Sequence, residues 1–297
     1  MCDAGSCRSR FTEFPFGQPT QLPCMSVGAE GEIWIGGIGA HAIVRVTPTG
    51  AVDDYPTGTT SPICLTVGPD GNIWFLGAQS IRRMRSDGAI TDFPLPSNEP
   101  FGVTTIVTGP DGNIWFGDYI GRRIGRITLE GGVTEFAGPI SPWRMTRGPD
   151  GHLWFVDPPA NQVGRVALDG TIIRYPFQGD ETMPLSIAAG PDGNVWTVVR
   201  ERQNDPPVQK IVRISPAGVI TEFPLPTTSS PASIAAGPDC NMLFTESQAQ
   251  LGRISPNGTI TEFALPAGTT PQAIVTGLDG NLWFTETNGW LGRFVPP

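Results

Sequence analysis

Lysine is all but missing from this sequence: Lys210 is the only one in 297 residues. Histidine occurs twice, as His41 and His152, and no apolar run approaches the roughly 18 residues that a membrane-spanning helix needs. Each shortage closes a class of function. With a formal net charge of -9, the chain lacks the clustered positive field that a phosphate backbone demands, so nucleic acid is not an expected partner, and no membrane partner is expected either. Cysteine is scarce too. Cys2, Cys7, Cys24, Cys64 and Cys240 contain no Cys-x-x-Cys pair, and two histidines do not make up the difference, which argues against zinc.

Glycine (38) and proline (31) are abundant, and 39% of residues are apolar against 16% charged, a balance that suits a turn-rich all-β chain. A repeat of about forty residues organises it. Tryptophan recurs at 34, 74, 115, 154, 196 and 283, with Leu243 standing in once, at successive spacings of 40, 41, 39, 42, 47 and 40. A Gly-Pro-Asp-Gly turn or a variant of it precedes each, from Gly28 to Gly31 in the first repeat and from Gly237 to Cys240 in the sixth. Proline presets the first turn dihedral and the last glycine accepts a positive φ, so these are hairpin turns. A third strand carries Arg45, Arg83, Arg126, Arg165, Arg213, Arg253 and Arg293, expected to pair with an acid of the same repeat. A fourth reads Thr-Glu-Phe or similar, as in Ile220-Thr221-Glu222-Phe223 and Ile260-Thr261-Glu262-Phe263.

The seventh repeat stops after its arginine strand, and Arg10-Phe11-Thr12-Glu13-Phe14-Pro15 can supply the missing one. The expected fold is therefore an all-β, seven-bladed β-propeller closed by the N-terminal strand: a tail over 1–9 and a single domain over 10–297. Closure removes the open sheet edges that template aggregation. Cys24 and Cys64 both lie four residues before a turn glycine on neighbouring inner strands, and a bridge requires their α-carbons to lie within about 7 Å. Cys2 and Cys7 can instead pair with each other or pin the tail, leaving Cys240 unpaired. The Met1-Cys2-Asp3 start, without an apolar signal segment, fits an intracellular chain or a secreted one whose signal was replaced; the sequon Asn257-Gly258-Thr259 leans to secretion.

Strand order puts the starts of the inner strands and the residues after each Trp-Phe on one face, where chemistry is expected. The position after the inner-strand proline reads Cys24, Ile63, Phe101, Trp143, Leu185, Ala232 and Gln272, a mostly apolar ring suited to an apolar small molecule, with axial packing as the competing reading. Three residues after the tryptophan the ring reads Gly37, Gly77, Asp118, Asp157, Val199, Glu246 and Glu286. Paired carboxylates of that kind hold Mg²⁺ or act as acid and base, while exposed rim charges are the commoner reason for them. The insert from Arg200 to Gln209 reads as a lid or as an elongated loop. His41 sits on the same face in a loop, and His152 is a turn residue on the opposite one.

The repeat "IWFTE...IGRI.P.G.ITEFPLP...P..I..GPDGN" resembles the streptogramin B lyases, also called virginiamycin B lyases, over essentially the whole chain. The resemblance implies a seven-bladed propeller in which two inner strands begin Pro-His, the last as Glu-Pro-His, residues implicated in Mg²⁺ binding and in the base that opens an ester-linked macrocycle by elimination. Here those places read Ser230-Pro231-Ala232 and Thr270-Pro271-Gln272, and only Glu286 matches. Neither Ala232 nor Gln272 titrates, so neither replaces an imidazole base. Propellers similar to this family also occur as fungal hetero-Diels-Alderases of tropolone-sesquiterpenoid pathways. That likeness implies a cofactor-free cyclisation in which Gln272 donates to a tropolone carbonyl while Phe101, Trp143, Ile63 and Leu185 shape the cavity. The alternatives are a Mg²⁺-dependent lyase using Glu246 and Glu286, and a non-catalytic binding propeller.

Overall fold

In a computed structural model of the protein, residues 10–17, 21–39, 41–58, 61–77, 79–96, 102–178, 182–201, 208–226 and 229–296 are described. Cys2, Cys7, Phe101 and the centre of the fifth-blade insert, with Arg202 and Asp205-Pro206-Pro207, lie outside them. The strands form seven four-stranded antiparallel sheets. Six follow chain order: blade 1, for example, runs Gln21–Val27, Ile33–Ile38, Ala42–Val46 and Val52–Pro56 from the axis outward. Blade 7 takes Pro271–Thr276, Leu282–Glu286 and Trp290–Phe294 and completes itself with Phe11–Pro15, whose Phe11 lies opposite Phe294 and Pro15 opposite Trp290. The only helical segment among the described residues is one 3₁₀ turn, Pro158–Ala160.

The regular letters of the repeat explain why each blade forms. The turn aspartate receives the indole N–H of its own blade's tryptophan, at 3.0 Å for Trp74 to Asp70 and 3.1 Å for Trp196 to Asp192. That tryptophan is buried and stacks on the fourth-strand aromatic, with ring centroids 5.3 Å apart for Trp74 and Phe93. The third-strand arginine lies over the pair, 5.4 Å from the Trp74 ring for Arg83. It also reaches the turn acid, at 2.7 Å for Arg165 to Asp150, as its position in the repeat predicts. The same guanidinium donates to the next blade, from Arg83 to Leu129 O and from Arg126 to Leu168 O. One cation thus joins indole, carboxylate and neighbouring blade, and its recurrence is structural. On the other face of the sheet the third-strand glycine is a steric requirement: a Cβ at Gly252 would lie 2.0 Å from the ring of Phe244.

Candidate functional site

Most inner strands break register where they enter from the upper face, between Val103 and Thr105, between Pro184 and Ser186, between Pro231 and Ser233, and between Pro271 and Ile274. A bulge leaves one residue unpaired and re-aims its side chain. Leu185 and Ala232 occupy such places, and Gln272 lies within the last. In blade 4, Trp143 N donates to Val156 O at 2.9 Å just before the strand Arg144–Arg147 begins.

These four side chains, one from each of blades 4 to 7, line one cavity of about 340 Å³, together with Arg144, Met183, Ser186, Arg200, Ser233 and Ala273. Trp143, Leu185, Ala232 and Gln272 of the expected ring are thus brought together. The side-chain amide of Gln272 makes no hydrogen bond to another described residue; its carbonyl O accepts from Thr245 Oγ1 at 2.7 Å. Tyr119 backs Trp143 edge-on at 5.6 Å between centroids.

Of the other expected ring residues, Cys24 and Ile63 are not part of this cavity, and Phe101 lies outside the described residues. Cys24 and Cys64 form a disulfide with Cα atoms 5.0 Å apart, so Cys24 braces two blades and does not line the ligand cavity. Ile63 packs with the cluster around that bridge. Counting forward from proline had placed Cys24 and Ile63 at one level. Counted back from the turn glycine, Cys24 shares its level with Cys64, Thr105, Arg144, Ser186, Ser233 and Ala273, and Thr104 stands where Phe101 was placed.

At that level stands a group that the position after proline does not pick out. Arg144 is the one charge at its level. Its Nη1 donates to Thr104 O at 2.9 Å and its guanidinium carbon lies 5.5 Å from the Trp143 ring centroid. Burial pushes it down from the ordinary arginine value to about 10, which leaves it cationic near neutral pH. Beside it, Ser186 and Ser233 hydroxyls stand 3.4 Å apart.

The acids are not rim charges. Asp118 and Glu246 are 0% exposed, and Asp157 and Glu286 1%. The strand alternation that fills each blade also buries its second-strand end. Asp118 is neutralised by Arg123 at 2.9 Å, and Asp157 accepts from Gln162 at 2.9 Å. Glu246 and Glu286 lie opposite Pro231 and Pro271, one strand behind the cavity, and do not line it. Burial raises Glu246 to about 7, with a smaller push from Glu262 of the same blade. Burial likewise raises Glu286 to about 7, with Glu13 of the closing strand adding to it. Each thus faces its own blade's outer carboxylate, and the two do not form a shared pair. Among the described residues no three His, Cys, Asp or Glu side chains converge as a metal shell. With Ala232 and Gln272 at the imidazole positions as well, the donors present do not fit the Mg²⁺ of the resemblance. His41 is exposed beside its loop, and His152 lies in its turn.

Comparison with known proteins accounts for the architecture. The sequence profile of the Virginiamycin B lyase family matches residues 5–104 and 98–294. The chain belongs to that family. A streptogramin B lyase structure is 31% identical, with 96% of this chain and 97% of that one covered and a TM-score of 0.86. A catalytically inactive histidine-to-alanine variant of the virginiamycin B lyase from Staphylococcus aureus, solved with quinupristin, is 29% identical, with 97% and 99% covered and a TM-score of 0.86. YCF48 bound to D1 peptide, at 14% identity and a TM-score of 0.78, shares the fold alone. Curated proteins give no match. Within the virginiamycin B lyase family, then, this member carries alanine and glutamine at Pro-x positions of its sixth and seventh inner strands.

Proposed function

We propose that this protein is an enzyme of small-molecule metabolism that binds an apolar substrate in the axial cavity of blades 4 to 7 and promotes a cofactor-free cyclisation. The best-suited reaction is a hetero-Diels-Alder addition of a tropolone quinone methide to a sesquiterpene alkene. The observation that carries this reading is the convergence of Trp143, Leu185, Ala232 and Gln272 on one cavity of about 340 Å³ that, among the described residues, no carboxylate or imidazole lines. Such a volume lies within the range of small-molecule sites.

A cycloaddition needs no proton moved: one C–O and one C–C bond form as π bonds are consumed. What the protein supplies is proximity, and holding two reactants in a reactive geometry lowers the barrier by several kcal/mol. Trp143 and Leu185 provide apolar walls for the alkene. Gln272, with its amide free, donates to the quinone methide carbonyl and lowers its acceptor orbital. The inactive relative supports the logic from the other side, since a histidine-to-alanine lyase of this fold is described with quinupristin yet without catalysis.

Incubating the protein with a quinone methide released in situ and a sesquiterpene alkene tests the reading. A faster reaction giving one stereoisomer is expected; a rate and product mixture equal to the protein-free control would reject it. The 31% identity to a streptogramin B lyase over 96% of the chain favours a second reading, elimination from a cyclic depsipeptide. Mass spectrometry of quinupristin after incubation, with and without a chelator, separates the two.

A further inference from the structure

We propose that Arg144 is an oxyanion anchor, so that the axial cavity takes a ligand whose apolar body lies on Trp143 and whose acidic oxygen, a carboxylate or an enolate-type hydroxyl, pairs with the guanidinium. This deepens the reading of the cavity as the ligand site and rests on it.

The third-strand arginines belong to the repeat, whereas Arg144 does not. Arg83, Arg126, Arg165 and Arg253 each meet a turn aspartate of their own blade. Arg144 stands on an innermost strand, and among the described residues no carboxylate pairs with it. Among the described residues its one hydrogen bond runs from Nη1 to Thr104 O, and Nε and Nη2 make none there. A guanidinium presents five N–H donors in a planar fork that matches a carboxylate or a chelating pair of oxygens. The unbonded donors of Arg144 face the cavity without a carboxylate among the described residues, and a bound anion supplies that partner.

Placement and field agree. Its counterparts on the other inner strands are two disulfide cysteines, Thr105, Ser186, Ser233 and Ala273, all neutral. Arg200, whose Nη2 reaches Pro231 O at 3.5 Å, also lines the cavity, and among the described residues no carboxylate does. A chain of net charge -9 repels anions at long range, so a cation at an otherwise neutral level marks where one is admitted. Trp143, lying against the guanidinium, offers its other contacts to the apolar part of the ligand.

The test uses three matched aromatic probes: 2-naphthoate, tropolone bound as its anion, and neutral 2-naphthamide. Tryptophan fluorescence and calorimetry report binding to the full chain and to Arg144→Gln and Arg144→Lys, with folding checked by circular dichroism. The expected result is that an anion binds at least about tenfold tighter than the amide. Arg144→Gln then removes that preference and leaves the amide unchanged, and Arg144→Lys keeps part of it. Should Arg144→Gln not fold, the unmodified protein still decides, because tropolone affinity must rise as its hydroxyl ionises and fall with added salt. The naphthoate and tropolone arms show which oxyanion is preferred. Equal binding of anions and amide overturns the anchor alone; no binding of any probe overturns the cavity as ligand site as well.

Discussion

Cys24 and Cys64 join the innermost strands of blades 1 and 2, which belong to separate sheets, through a disulfide whose α-carbons are 5.0 Å apart. Because the bridge closes a loop of sequence separation 40, chain-entropy arguments assign it about 4 kcal/mol. Replacing both cysteines with alanine is expected to lower the denaturant midpoint, and a reductant is expected to destabilise the parent protein but not the double variant. Equal effects of the reductant on both would show that the bridge is not what the reductant acts on.

Stability is expected to fall between about pH 4.5 and pH 7 as Glu246 and Glu286 are forced to ionise. A carboxyl whose folded pKa is raised, here to about 7 from 4.5, contributes fully below the unfolded value, and its contribution is lost as pH climbs through the folded one. The loss is on the order of 1–3 kcal/mol per group. Asp70, Asp111 and Asp150 run the other way: their indole and side-chain hydrogen bonds hold them below 3.8, so they stabilise above that value and fail in stronger acid. Thermal midpoints measured from pH 3 to 8 should therefore peak in mildly acidic buffer. Glu246→Gln should flatten the fall toward neutral pH, and an unchanged curve would remove this carboxyl as its cause.

Cys240 occupies the last position of its turn at φ 63°, where Gly71, Gly112, Gly151, Gly193 and Gly280 sit at 72–78°. Cys240→Gly relieves a left-handed conformation that only glycine adopts without cost, and should stabilise by about 1 kcal/mol in thermal unfolding. The exposed thiol should also react with Ellman's reagent in the native state, and the variant should release one equivalent less.

Gln272→Ala is expected to slow adduct formation by about tenfold to a hundredfold by removing a donor aimed at developing charge, with substrate binding little changed. Trp143→Ala should weaken binding and relax the stereochemical outcome together. Both are read by single-turnover product analysis, with chelator expected to leave the cyclisation untouched. A Gln272→Ala variant of full rate would assign the carbonyl to another donor.

The fold was legible because its letters repeat. Gly-Pro-Asp-Gly, tryptophan and arginine recur with small variations and make similar local contacts in most blades, so period and turn chemistry were enough. Even the closure by Phe11–Pro15 could be read from a missing fourth strand. The site was half legible. Trp143, Leu185, Ala232 and Gln272 follow prolines and converge as expected, whereas Cys24 was misplaced because bulges make the distance from proline an unreliable ruler. Arg144 was hidden by the same error, since only the distance to the turn glycine shows it to be an unpaired departure from a neutral ring. The burial of Glu246 and Glu286 depends on the outer strand of each blade, which linear spacing does not reveal.

The pairing of Phe11 with Phe294 has a consequence for synthesis on the ribosome. The strand that seals the ring is made first and used last: its partner emerges after all six other blades have been translated. Until then Phe11–Pro15 must stay uncommitted while the growing array carries an open edge, so chaperone dependence and misassembly should concentrate in the interval before residue 294 leaves the exit tunnel.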